Sequence, residues 1–422
     1  MSANVEPLYQ RFSELFEKGF KIDWVTAGFI SITHVICIIG TPVAYYFAPE
    51  GLWKAMLAWT LVHAFIACLS TTVYSHRLVS HGAANKISWP VHIVFGYVGQ
   101  VLAIQGSVLR WASMHILHHG VDKTGQHQLD PYSATWFGST WRNFLWSHML
   151  TYFFFHPKTE AWDRAIASKS TPLIVWQDKL YIPLLVTLNF LLPMAVGYWL
   201  AGAVGAACLM IASIGGFILA QHNTWTVNSV THLWGSKDGA NSSAKNNYIW
   251  MGPLGEGNHH ADHHDHGKDF RNGFGVSGWL LDPTRYVILA LRGMGLVKGL
   301  QRASKVQEAR IVARRAMNEI QQKVPVVSWD GLEGRFNALR ADWLEAVAKW
   351  ESYKKERKAA YRELKCIKRR GALSQAMFIE KRRELRLQFA RIKREMKIAR
   401  ATMQAKRHTF FLAIDEARFQ FA

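Results

Sequence analysis

Nine histidines in this chain have types and spacings that suit metal binding. His76 and His81 form H-x4-H, His115, His118 and His119 form H-x2-H-H, His232 stands alone, and His260, His263 and His264 repeat H-x2-H-H. Imidazole in its neutral form is the commonest side-chain ligand for iron, copper and zinc. Residues at i, i+3 and i+4 share one face of a helix, so each H-x2-H-H segment can offer three nitrogens to adjacent ions. His76 and His81, five apart, stack less neatly and fit the unwinding end of a helix. Asn228 and His232 are i and i+4, which lets the amide reach a metal-bound water beside the His232 ring. Nine imidazoles exceed the needs of one ion, and two metals with about four or five ligands each account for them. Such a neutral all-nitrogen shell leaves the ions' charge largely uncompensated. Carboxylate-rich helical di-iron sites use Glu-x-x-His on each of two helices. That spacing occurs here at Glu256 and His259, within a glycine-rich segment and without a second copy, and reads as chance. Either His259 or His260 can begin the last box, and His260 reproduces the earlier spacing.

The other histidines lack this pattern. His34, His63 and His92 lie in apolar stretches and read as packed or hydrogen-bonded core residues, while His127, His148, His156 and His408 show no ligand spacing. His222 fits a supporting place near the site, and His266 is a weaker extra candidate. Of the four cysteines, Cys37, Cys68 and Cys208 fall in apolar stretches and Cys366 near the C-terminal end. None has the C-x2-C spacing of a metal or redox site.

The elements that must position these rings are apolar helices. Half of the 422 residues are hydrophobic. Residues 24–48 and 55–74 are each long enough to cross a bilayer. Residues 181–221 carry no charge and suffice for two crossings, with Gly197, Gly202 and Gly205 available for the turn. Residues 88–109 are also apolar, but Pro90, Gly96, Gly99 and Gly106 interrupt them, which suits a helix lying in or against the membrane. The short 48–54 connection and the uncharged turn near Gly202 contrast with the basic residues on the other side of each hairpin. The positive-inside rule therefore predicts two transmembrane hairpins with both termini in the cytoplasm. All nine histidines then fall on the cytoplasmic side. The fold expected is all-α, with four transmembrane helices and a cytoplasmic helical cap. No cleavable signal is evident in the polar first 21 residues, and the first span serves as targeting element.

The charge lies elsewhere. Residues 301–422 hold 30 Lys or Arg against 14 Asp or Glu, most of the formal net charge of +20. Leu332, Phe336, Leu339, Trp343, Val347, Trp350 and Tyr353, then Leu385, Phe389, Ile392 and Met396, recur at helical spacing on either side of Gly371. Two basic amphipathic helices joined by a turn are expected. A solvated hairpin, contact with anionic lipid headgroups and docking of an acidic electron carrier all fit such a surface. Nucleic acid does not, because no recognised nucleic-acid-binding signature accompanies the charge. The domains are therefore 1–300, a membrane body with its cap, and 301–422, a basic helical extension.

With these residues in place, the chain resembles the membrane fatty acyl desaturases of the stearoyl-CoA desaturase type. The resemblance covers roughly residues 76–283 and rests on HRLVSH, WASMHILHH, NTWTVNSVTHLWG, GEGNHHADHH and LDPTRY in that order. It implies a cap holding two irons with the nine histidines as ligands, a water-mediated role for Asn228, and a bent tunnel for the acyl chain. By the same matching Gln105, Trp111 and Thr224 line the bend, with Trp225 beside them. The second box departs from the family's polar pattern at Ser113, Met114 and Ile116, positions associated with the substrate's headgroup, so the acyl carrier stays open among CoA, acyl carrier protein and phospholipid.

The function expected is O2-dependent insertion of a cis double bond, at Δ9, into a saturated acyl chain. An external ferredoxin, rubredoxin or cytochrome would supply electrons, and a bacterial inner membrane would be the location. A related di-iron hydroxylase or ketolase is the nearest alternative. A non-catalytic metal transporter would instead place its liganding residues within the spans.

Overall fold

A computed structural model describes residues 7–124, 126, 129–155, 160–236, 242–247, 256–321, 323–370 and 375–421. The chain divides into two compact units, 1–302 and 303–422. In the first, three helical runs are long and apolar enough to cross a membrane: α1 (Trp24–Phe47), α2 (Leu52–Ser80) and a 62-residue run, Pro172–Leu233. Their outward faces carry Trp24, Ile38, Leu61, Tyr198 and Trp199 in exposed positions, a surface that suits a lipid environment.

The long run is not one straight helix. Ala201 (φ −155°) and Gly202 (φ 60°) break the helical conformation. Gly202 takes the left-handed φ that its missing Cβ permits. Across the turn Gly197 and Gly205 meet backbone to backbone, where a Cβ on either would strike the other's carbonyl oxygen. The chain thus doubles back on itself at the glycines.

The apolar stretch beginning at residue 88 is helical in its first part, and two of its glycines lie within the helix. It is helical over 89–102, mostly in the wider π form at His92–Gly99. Gly99 permits close packing there, because a methyl group on it would coincide with Ser70 Oγ. The helix ends beyond Leu102, where Ile104 (φ 46°) and Gly106 (φ 90°) turn the chain.

Four further helices bear on the site: α3 (Val108–Thr124), α4 (Thr140–His148), α5 (His260–Asp265) and α6 (Pro283–Gly293). Asp282 caps α6 by accepting from Arg285 N, and Pro283 follows at the first position, where a missing N–H costs nothing. The ends of α2, α3 and α6 meet in one buried cluster that includes Tyr74, Leu78, Val108, Ala112, Phe270, Ile288 and Leu291. This core fixes the elements that carry the first and second histidine boxes.

The all-α expectation needs one correction. The described residues include two short antiparallel ribbons, Lys21–Ile22 with Phe154–Phe155 and Ala84–Ile87 with Val297–Leu300. Each joins segments far apart in sequence, and neither is long enough to show alternating polarity.

The second unit contains α7 (Lys305–Gln321), α8 (Val326–Arg370) and α9 (Gln375–Gln420). Its core gathers Ala313, Met317, Ile320, Trp329, Phe336 and Trp343 against Phe410, Ile414 and Ala417. The pairing of Trp343 with Phe410 shows that the start of α8 lies beside the end of α9, as in a helical hairpin.

Candidate metal centre

His76 sits in the last ten residues of α2, Thr71–Ser80, which are wound as a π-helix and are wholly buried. The structure therefore widens this helix where the sequence suggested that it unwinds. His81 N donates to His76 O at 3.2 Å, an i→i+5 bond, so residues five apart become neighbours on successive turns. Their rings lie 5.0 Å apart. Buried π segments of this kind recur at functional sites.

The other rings come from three elements. His115, His118 and His119 project from α3, His232 from the end of the Pro172–Leu233 run, and His260, His263 and His264 from α5. Together they form two groups: His76, His81, His115, His119 and His263 in one, His118, His232, His260 and His264 in the other. Within each group the ligand atoms lie within 4.8 Å of one another. Nε2 contacts run from 2.7 Å for His76–His263 to 3.1 Å for His81–His263, and His232–His260 is 2.9 Å. His119 and His264, one from each group, stack at 3.9 Å and join the two sets.

Of the two candidates for the start of the last box, His260 stands in a group. His259 lies at the N-terminal end of α5 against Gly273, with Nδ1 3.5 Å from Asp262. His63 and His92 bond to Leu102 O and Tyr74 OH as packed residues. His34, His222 and His148 form a separate chain, with ring nitrogens 3.1 and 2.9 Å apart. His127 and His156 lie outside the described residues.

The outer nitrogens reveal residues that sequence reasoning missed. His76 Nδ1 meets Glu256 Oε2 at 2.9 Å, His118 Nδ1 meets Asp130 at 2.7 Å, and His264 Nδ1 meets Asp122 at 2.7 Å. His232 Nδ1 pairs with Ser243 Oγ at 2.7 Å. Each such partner fixes the tautomer and ring orientation and makes the inward Nε2 a better donor. Three carboxylates therefore place negative charge one bond behind the imidazoles, where a neutral shell was expected. Glu256, dismissed as half of a chance Glu-x-x-His, is among them. It also faces Arg77, a fully buried guanidinium whose Nε is 3.5 Å away. Two signals were available: Asp130-Pro131 after the second box, and Asp122 three residues after His119.

Protonation favours ligation. Burial, then repulsion from neighbouring histidines, holds His115, His119, His260 and His263 well below the ordinary imidazole range. These rings stay neutral and keep a lone pair for a metal. Burial pushes the Glu256 carboxyl up, but His76 and Arg77 outweigh it and bring it to about 2. Burial likewise opposes ionisation of Asp122, yet its bond to His264 leaves it well below the usual carboxylate range.

The residues present fit a pair of transition metals. Among the described residues His118 Nε2 and both ring nitrogens of His119 are buried without a hydrogen-bond partner, an arrangement that costs free energy unless a ligand-seeking ion uses the lone pairs. A set of converging imidazoles, three of them with carboxylates behind, suits iron or zinc.

A cavity adjoins the first group, lined by Cys68, Thr72, Trp111, Thr224 and Asn228 together with His76 and His115. Trp111 stacks on His115 at 5.0 Å and its Nε1 donates to Gln105 Oε1 at 3.3 Å. Gln105 Nε2 in turn donates to Thr224 Oγ1 at 3.0 Å. Gln105, Trp111 and Thr224 are thus tied into one wall. Asn228 lines the same cavity and donates to Tyr152 OH at 3.4 Å. Trp225 is turned elsewhere, stacked on Tyr152 at 5.3 Å among His34, His148 and His222.

Residues 51–288 match the model of the fatty acid desaturase family, more than half of the chain, and the chain belongs to that family. It is 26% identical over 287 residues to the sn-2 palmitoyl-lipid 9-desaturase of Nostoc sp. (strain 36), covering 66% of this chain and 90% of that protein. It is 27% identical over 264 residues to the stearoyl-CoA desaturase of Sus scrofa, covering 61% and 69% respectively. A probable chloroplastic lipid desaturase of Arabidopsis thaliana is 30% identical over 281 residues, covering 65% and 69%. The protein is a fatty acyl desaturase, an oxidoreductase with apolar membrane helices.

Proposed function

We propose that this desaturase uses O2 and two irons to place a cis double bond at Δ9 of a saturated acyl chain, carried on phospholipid or CoA. Support comes first from the two convergent imidazole groups and from a cavity that His76 and His115 of the first group help to line. The name of the Nostoc relative supports the position, and the names of the Nostoc and Sus scrofa relatives support the substrate class.

His76, His81, His115, His119 and His263 would hold one iron, and His118, His232, His260 and His264 the other. Bound there, the irons would activate O2 to take two hydrogens from adjacent methylenes. Overall the acyl CH2–CH2 unit loses two hydrogens while O2, two electrons and two protons become two waters.

The chain's own residues determine which carbons react. Trp111, held by Gln105, and Thr224 close the wall beside His115, so the acyl chain is fixed by a rigid surface rather than by a mobile side chain. A displacement of one carbon moves the target by one position, which makes this wall the regiochemical ruler. Asn228, on the same cavity wall, would hold a water beside the first group. Glu256, Asp130 and Asp122 orient the imidazoles, and the apolar surroundings exclude bulk water.

In this reading the doubled-back Pro172–Leu233 run provides two crossings, giving four in all. The site and both termini face the cytoplasm, as in a bacterial inner membrane, where a ferredoxin, rubredoxin or cytochrome delivers electrons. Residues 301–422 form a separate basic extension.

The experiment that tests this supplies iron-loaded protein with a reducing donor, O2 and a saturated acyl substrate. Oxygen uptake matched by monounsaturated product supports the proposal. A hydroxylated or oxo product transfers the assignment to a related oxidase.

A further inference from the structure

The second unit's charge is unevenly placed. Residues 349–400, the outer part of the α8–α9 hairpin, hold 19 Lys or Arg against 6 Asp or Glu, whereas the remainder of 303–422 holds 10 against 8. The inner part is a neutral, packed bundle whose charges pair across helices: Arg335 with Glu416, Lys406 with Asp342, Arg418 with Glu319. In the outer arm Arg391 pairs with Glu356 and Lys381 with Glu363, but carboxylates are too few for the rest.

Packing explains one face of this arm and leaves another unexplained. Leu385, Ile392 and Ala399, seven apart, are buried and form the seam of the hairpin. Away from that seam on α9, Arg383, Leu387, Arg391, Arg394 and Ile398 follow one another at spacings of four, four, three and four, and all are exposed, Arg391 at the edge of the line where it also reaches Glu356 of α8. Leu387 is 66% and Ile398 57% exposed. The packing of the hairpin does not use these two aliphatic groups, which share a line with arginines. Nucleic-acid contact calls for positive charge and polar groups, not leucine and isoleucine. An interfacial surface calls for both, charge for the headgroups and apolar side chains for the boundary beneath them.

We propose that this outer arm of the C-terminal hairpin binds an anionic phospholipid surface, with Arg383, Arg391 and Arg394 on the headgroups and Leu387 and Ile398 entering the interface. This contact is distinct from the apolar spans and carries no part of the reaction. It would tie the extension to membranes rich in acidic lipid.

Cys366 offers the probe, being exposed on α8 while Cys68 and Cys208 are buried. The full chain, with Cys37→Ser to prevent a second label, is given an environment-sensitive fluorophore at Cys366. It is then placed in nanodiscs of phosphatidylcholine alone, or of phosphatidylcholine with phosphatidylglycerol. A third sample adds phosphatidylglycerol vesicles to the neutral discs. The expected result is a blue shift wherever the acidic lipid is present, reversed near 1 M salt, where screening shortens to about 3 Å. A triple variant, Arg383→Gln with Arg391→Gln and Arg394→Gln, should lose the shift while keeping its helical circular dichroism. Leu387→Ser with Ile398→Ser should leave a weaker shift that reverses at lower salt. Identical emission in all three lipid conditions overturns the proposal, as does a response only to added RNA or to an acidic protein. No activity is read, so this outcome is independent of the desaturase reading.

Discussion

Replacing Glu256 by Gln tests whether the carboxylates behind the histidines matter. The change keeps the volume and an amide oxygen for His76 Nδ1 but removes the charge that faces both His76 at 2.9 Å and Arg77 at 3.5 Å. Two losses follow, and they are read separately. Losing an outer partner of a metal-bound histidine costs about 10- to 100-fold in metal affinity, which is about 1.4–2.7 kcal/mol. This agrees with the value of a charge-assisted hydrogen bond, about 1.5–3 kcal/mol. Arg77, fully buried, loses the carboxylate paired with it while Asp282 remains nearby, and breaking a buried ion pair costs up to about 3–5 kcal/mol of stability. The assay is chelator competition on purified, iron-loaded protein, with thermal unfolding alongside. The variant should release iron at a chelator concentration about 10- to 100-fold lower and melt earlier. If the effect passes through the His76 ring, Glu256→Gln should add little further loss of affinity in a His76→Ala background. Unchanged iron retention by the single variant, or fully additive losses in the double, would refute the reasoning.

Other expectations follow from the same geometry. His260→Asn should sharply reduce bound iron, whereas His259→Asn should retain both irons, since only His260 stands among the converging nitrogens; metal analysis of the two proteins decides it. Gln105→Leu leaves Trp111 Nε1 and Thr224 Oγ1 without their shared partner, and should broaden the double-bond position by one or two carbons while preserving iron content, as read by mass spectrometry of the products. Burial, then repulsion from His222, holds His148 down at about 4. The unfolded chain, with an ordinary imidazole value near 6.5, takes up a proton over that window that the folded chain refuses. His148 therefore costs no stability above pH 6.5 and an increasing amount as pH falls from 6.5 toward 4. Melting temperature should decline over that range, and His148→Phe, stacked beside Phe144, should flatten the decline.

Much of the site was legible because ligand spacing is local. The two H-x2-H-H segments each lie on one helix face, and Asn228 and His232 share another, so a few residues of sequence contained the geometry. The reversal at Gly202 was legible for the same reason. What escaped depends on contacts distant in sequence or on helix form. Glu256 reaches His76 from 180 positions away in the chain, and its own neighbourhood offered only a misleading Glu-x-x-His. The π-winding of Thr71–Ser80 has no sequence signature, so the five-residue spacing of His76 and His81 suggested an unwound end. Gly99, read as an interruption, meets Ser70 from a different helix. The two-residue and four-residue ribbons are too short for an alternating pattern to reveal.

The central claim is that the two histidine groups hold the metals that desaturate an acyl chain at Δ9. The most direct measurement expresses the intact chain and His118→Ala, together with a ferredoxin system, in a host lacking its own desaturase. Total fatty acids are then analysed by mass spectrometry with double-bond localisation. The account predicts a cis-Δ9 monounsaturated acid from the intact chain and none from the variant. A hydroxylated acid in its place, or equal unsaturation from His118→Ala, would contradict it.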